Sequence, residues 1–143
     1  MTDLVQSVTV PDREGRIMTM LARAAAALVG LFGLAFGAWF FAATPDAAAY
    51  FFVQPIGAAG EATLRADMAS FFLVGAAWAF FAARTGRGAA LLVPGALYAV
   101  AISGRAVNLI VNGPYEGAAA PMIVEAVLIA LCAFGYRVLR SPA

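Results

Sequence analysis

The chain contains no histidine and no lysine, and only one cysteine. The missing histidine excludes Ser-His-Asp triads, Cys-His pairs and His-ligated zinc or haem together. The lone Cys132 leaves no intrachain disulfide to form. Set in an apolar run, it reads as a buried helix thiol. Charge is scarce as well: charged residues are 12% of the 143, about half the usual share for a soluble domain. The net charge of +1 offers no electrostatic footprint for nucleic acid. No nucleophile stands beside an activating base, so catalysis is not indicated, and no metal or cofactor is expected.

What the chain has instead is apolar length. Hydrophobic residues make up 64% and the mean hydropathy is +0.89. After a mixed polar arm at 1–20, apolar runs cover residues 21–43, 64–83, 89–111 and 121–139. Each holds about 20 residues, enough to cross about 30 Å of hydrocarbon at 1.5 Å per residue. Helices are implied because an isolated strand leaves its backbone groups unpaired in lipid. A β-barrel needs alternating segments of about ten residues, and the sequence has none. The first run exceeds the apolar core of a signal peptide, so it reads as a retained span. The expected fold is all-α: one domain, an antiparallel four-helix transmembrane bundle.

Four spans place both termini on one side, and the arginines say which. Arg13, Arg16 and Arg23, then Arg84 and Arg87, then Arg137 and Arg140 all fall on the same face. Asp46, Glu61, Asp67 and Glu116 fall on the other, with Arg65 among them. The positive-inside rule then makes both termini cytoplasmic, in a bacterial inner membrane crossed several times. Trp39, Trp78 and Tyr136 near span ends fit headgroup depth.

Residues 44–63 are too short to span and too apolar for a free loop. They contain Ala47-Ala48-Ala49 followed by Tyr50, Phe51 and Phe52, with Pro45 and Pro55 flanking. This segment reads as an interfacial or re-entrant helix, with Tyr50, Phe51 and Phe52 as an aromatic anchor or a lid. Small residues recur at helical spacing: Ala26, Gly30, Gly33 and Gly37; Gly75, Ala79 and Ala83; Gly95, Ala99 and Ser103. Such stripes let helix backbones approach in lipid, within one bundle or across a homodimer. Pro94 is expected to bend the third span near its start.

The chemistry-bearing residues are few. Arg105 lies in the third run and Glu125 in the fourth. A charge at the bilayer centre costs about 2.5–3.5 kcal/mol on insertion scales, so it calls for a partner, water or a ligand. Counted from the span ends, Arg105 is roughly 9 Å and Glu125 roughly 6 Å below the outer boundary. Arg65 and Asp67 open the second span in the same layer. Asn108 and Asn112 follow Arg105 at helical offsets on one face. Arg65, Asp67, Arg105, Asn108, Asn112 and Glu125 therefore form a candidate polar cluster. It reads either as a structural lock between spans three and four or as a pocket. In the pocket reading, Arg105 and Arg65 hold an anionic or carbonyl group and Glu125 orients Arg105 or handles a proton.

Leu64-Arg65-Ala66-Asp67-Met68 opening a span, Gly104-Arg105 followed by Asn112-Gly113-Pro114, and Glu125 early in the last span together resemble an uncharacterised bacterial family of small four-span membrane proteins. The likeness covers about residues 20–140. Some members of that family, a domain of unknown function, are labelled phage-infection proteins. This chain has Asn112 where the family commonly has Asp, so no acid is available there to carry a proton. The layout is also similar to small membrane proteins associated with quinone or thiol oxidation, an analogy of fold alone. The resemblance implies the four-helix fold and directs attention to Arg65, Arg105 and Glu125.

The sequence thus favours a non-enzymatic membrane protein with an outer-side polar pocket for a lipid-like or small anionic molecule. Two other readings stay open: an accessory subunit or surface partner of a larger membrane complex, including a phage-entry factor, and a small redox or isomerase-like membrane enzyme. A transporter is disfavoured, because no inverted repeat or broken span is visible.

Overall fold

The computed structural model describes residues 13–140. It holds five α-helices: α1 (Arg13–Ala42), α2 (Thr44–Tyr50), α3 (Gly57–Thr85), α4 (Leu92–Asn112) and α5 (Ala119–Arg140). A 3-10 turn, Gly88–Leu91, leads into α4, and no strand occurs among the described residues. α1, α3, α4 taken with its 3-10 turn, and α5 are each long and apolar enough to cross a membrane. That makes the chain consistent with a multi-pass membrane protein. The outward faces agree: Val100 is 74% and Ile110 83% exposed, which in water would forfeit the burial that normally drives folding.

Helix ends lie beyond the apolar runs. α1 begins at Arg13, so residues 13–20 of the expected polar arm are the first turns of a long helix. Residues 1–12 lie outside the described part. α3 likewise begins at Gly57 rather than Leu64. A helix needs no apolar residues where it leaves the hydrocarbon, so hydropathy marks the buried length and not the helical length. α3 ends at Gly86, whose φ of 71° is the left-handed cap that glycine adopts at little cost. The Arg23 guanidinium lies against this cap, next to the negative end of the α3 dipole. Pro94 sits in the first turn of α4. A missing N–H there breaks no intrahelical bond, so the proline follows the 3-10 turn rather than kinking a span.

The ends of the helices meet in two layers. At one end, Gly88 abuts the backbone of Tyr136 and Arg140, and Gly135 abuts Leu91 and the carbonyl of Ala22. The start of α1, the α3–α4 turn and the end of α5 therefore converge. This layer has a core of Ala26, Val29, Ala82, Leu91, Leu128 and Cys132. At the other end α2 docks on α1 and α3 around Phe40, Ala47, Ala48, Ala69 and Phe72.

The small-residue stripe of α1 is used inside the bundle. A Cβ at Gly30 would lie 2.8 Å from the Phe80 ring, one at Gly33 2.8 Å from the Phe72 carbonyl oxygen, and one at Gly37 2.6 Å from Leu73. On α3, Gly75 and Ala79 are buried. The α4 stripe is only partly used: Gly95 faces Cys132, whereas Ser103 is exposed and bonds back to the Ala99 carbonyl at 2.7 Å.

α2 is a seven-residue helix with Pro45 in its first turn. The segment expected to lie at the interface is thus helical over its first part and packed into the bundle by two fully buried alanines, Ala47 and Ala48. Thr44, also fully buried, donates to the Phe40 carbonyl at 2.7 Å and accepts from Arg65 Nε at 3.0 Å. That chain of bonds ties α1, α2 and α3 together.

The α1–α3 seam yields a prediction. Gly33→Val must displace the α3 backbone, and overpacking of this kind costs about 1–3 kcal/mol. Gly104→Ala meets nothing within 4 Å and is expected to be neutral. Thermal unfolding of both variants in one detergent should show a clear loss for the first only. Equal melting would mean that the seam is not close-packed.

Candidate functional site

α4 packs lightly. Only Pro94 and Tyr98 of its residues are buried, and both lie in its first half. There Gly75 of α3 lets Leu97 and Pro94 approach, at 3.5 and 3.8 Å from the position of its missing Cβ. Beyond Tyr98 no residue of α4 is buried, and a cavity of about 380 Å³ occupies the space. This volume is within the usual range of small-molecule pockets.

The cavity is apolar on its walls and charged at one end. Phe32 and Phe36 of α1, Phe71 and Phe72 of α3, and Tyr98 of α4 form the walls. The rings pack on one another: Phe36 stacks on Phe72 with centroids 5.6 Å apart, and Phe71 meets Tyr98 edge-on at 6.0 Å. Tyr50 and Phe51 cover the cavity from α2, and the Phe51 ring stands against Phe36 at 5.7 Å. Asp67, Arg105 and Glu125 supply the charge.

The structure brings Arg105 and Glu125 together. Arg105 Nε donates to Glu125 Oε1 at 2.9 Å, linking α4 to α5. The side chains are 29% and 10% exposed, so the carboxylate is the more deeply buried partner. Its second oxygen, Oε2, is buried with no hydrogen-bond partner. A buried polar atom left unpaired costs about 1–3 kcal/mol, and more when charged.

The remaining expected residues separate into members and non-members. Asp67 lines the cavity and is exposed at its rim. Arg65, expected in the same pocket, is not there. Its Nη2 donates to Glu61 Oε1 at 2.6 Å, one helical turn back, and its Nε goes to Thr44. Arg65 pairs with Glu61 at i,i+4 and not with Asp67, because residues two apart do not share a helix face. Asn108 and Asn112 bond to each other at 2.6 Å on an exposed face, away from the cavity lining. One helix face can carry all three of Arg105, Asn108 and Asn112 only approximately. Here the arginine turns inward and the two asparagines outward.

Of the three lid residues, Tyr50 and Phe51 line the cavity, and Phe52 does not. Phe52 is 89% exposed, has a φ of 57° and stands beside Gly117 of the α4–α5 loop. A second opening between α2 and the start of α5 is lined by Phe51, Phe52, Arg105, Gly117, Pro121 and Val124. Arg105 thus stands between the two spaces. The sequence reading missed the aromatic walls. Their one signal is the i,i+4 spacing of Phe32, Phe36 and Phe40, which also fits a lipid-facing stripe.

Compared with protein-family models, curated proteins and solved structures, the chain matches none. The family resemblance therefore rests on the sequence motifs alone.

The ion pair can be tested by a double-mutant cycle. Arg105→Ala strands a buried carboxylate, and breaking such pairs costs about 3–5 kcal/mol in soluble proteins. Arg105→Leu combined with Glu125→Leu is expected to recover most of that loss in unfolding experiments. Additive losses would mean that the two residues are not partners.

Proposed function

We propose that this protein is a non-enzymatic, membrane-embedded binding protein for a lipid-like molecule. The ligand's apolar part lies among the aromatic walls and its polar end meets Arg105, Glu125 and Asp67. The observation that carries this reading is the combination of an apolar cavity with a buried, half-satisfied carboxylate at one end. Apolar pockets with few convergent polar groups are the usual form of small-molecule sites. Ionisable groups among apolar helices more often serve function than packing. The lining also counts against the small-anion version of the reading. Arg65 is engaged elsewhere, and Arg105 is already balanced by Glu125.

The proposed setting is a bacterial inner membrane with both termini in the cytoplasm. The arginines at the convergent end of α1, α3 and α5 support it under the positive-inside rule. The cavity then opens in the outer half, with α2 above it. Cysteines introduced at Arg87 and at Glu116, in a Cys132→Ala background, test this. A membrane-impermeant maleimide added to intact cells is expected to label only the second. Labelling of the first alone would invert the topology.

Binding itself is tested by cavity filling. Ala101 lines the cavity, and Ala101→Trp should occupy it while leaving both ion-pair residues unsubstituted. Native mass spectrometry of protein released from nanodiscs is expected to show a specific bound mass on the wild type and its loss from the variant, with melting little changed. Only non-specific lipid on both would contradict the binding reading and favour a purely structural Arg105–Glu125 lock.

A further inference from the structure

We infer that the polar end of this ligand is a protonated amine, or a comparable cationic hydrogen-bond donor, carried on an apolar body. The inference deepens the binding reading above and rests on it.

The first reason is the bare oxygen. Glu125 Oε2 is buried and has no partner, while Oε1 is held by Arg105. What the site lacks is a donor aimed at Oε2. A carboxylate, phosphate or ether head brings acceptors and leaves that oxygen as it is. The charge-assisted bond from Arg105 favours the ionised carboxylate, whose oxygens only accept.

The second reason is charge. Asp67, Arg105 and Glu125 are the charged side chains of the lining, one more acid than base. An anionic head would meet a guanidinium already neutralised by Glu125 and would face two carboxylates of the same lining. A cationic head balances the lining and lies between Glu125 and the rim residue Asp67.

The third reason is the walls. Aromatic faces attract cations through their quadrupole, and the Phe36–Phe72 stack and Tyr98 border the same space as the acids. An alkyl or aromatic body gains from these walls whatever its head. A protonated amine gains from the walls and the acids together.

The test compares one apolar body with three heads. Dodecylamine, dodecanol and dodecanoate are titrated at mildly alkaline pH into the full chain in zwitterionic nanodiscs. Binding is read by native mass spectrometry against empty nanodiscs. The amine is expected to bind about tenfold or more tightly than the alcohol, and dodecanoate most weakly. Glu125→Gln should bring the amine down to the level of the alcohol and leave the alcohol unchanged. Asp67→Asn, which keeps the Arg105–Glu125 bond, should reduce the amine preference by a few-fold. This second variant preserves the test if the first does not fold. Dodecanoate binding as well as the amine, or an amine preference unaltered in both variants, would overturn the cationic head and leave the amphiphile pocket standing. No probe binding above empty nanodiscs would overturn both.

Discussion

The charge pair between α4 and α5 is the constraint on which the rest of the site depends. Two opposite charges sit inside the apolar runs of α4 and α5, and each makes the other tolerable. The bond from Arg105 Nε to Glu125 Oε1 fixes the register of the last two helices. It also determines which carboxylate oxygen is left buried and unpaired. A guanidinium that met the carboxylate through both oxygens would have left a closed structural lock. The single-oxygen contact leaves an acceptor in reserve.

The cavity is a consequence of unequal helix packing. α1 and α3 meet along glycines that bring backbone close to backbone, with no room left between them. α4 has no comparable seam. It is held near its start, where Gly75 admits Pro94 and Leu97, and again through α5 by the ion pair. Beyond Tyr98, which meets Phe71 of α3 edge-on, no residue of α4 is buried, and aromatic rings from α1 and α3 line the gap. α2 then covers the outer end because two alanines and a buried threonine let it sit directly on α1 and α3. A short helix with larger residues at Ala47 and Ala48 would stand off and leave the cavity uncovered.

Much of this was legible in the sequence, and the parts that were not have physical causes. The long apolar helices followed from run length, because without the alternation of a barrel only a helix satisfies backbone groups in lipid. The proximity of Arg105 and Glu125 followed from counting rise along two helices of opposite direction. The helix starts at Arg13 and Gly57 did not follow, since hydropathy is silent on helix outside hydrocarbon. Arg65 was misplaced because its distance from Asp67 along the chain is short while its direction is set by Glu61 and Thr44. Asn108 and Asn112 were grouped with Arg105 because a helix drifts in phase over seven residues and the side on which each polar group ends depends on neighbours. The aromatic walls were invisible because phenylalanine is equally at home facing lipid, a cavity or another helix.

The most direct measurement is a crystal structure of the protein purified with the lipids that accompany it. The account predicts density bounded by Phe36, Phe72 and Tyr98, with its polar end at hydrogen-bond distance from Glu125 Oε2. A cavity collapsed by inward movement of α4, or one in which Oε2 is satisfied by a second protein donor and no molecule is held, would contradict it.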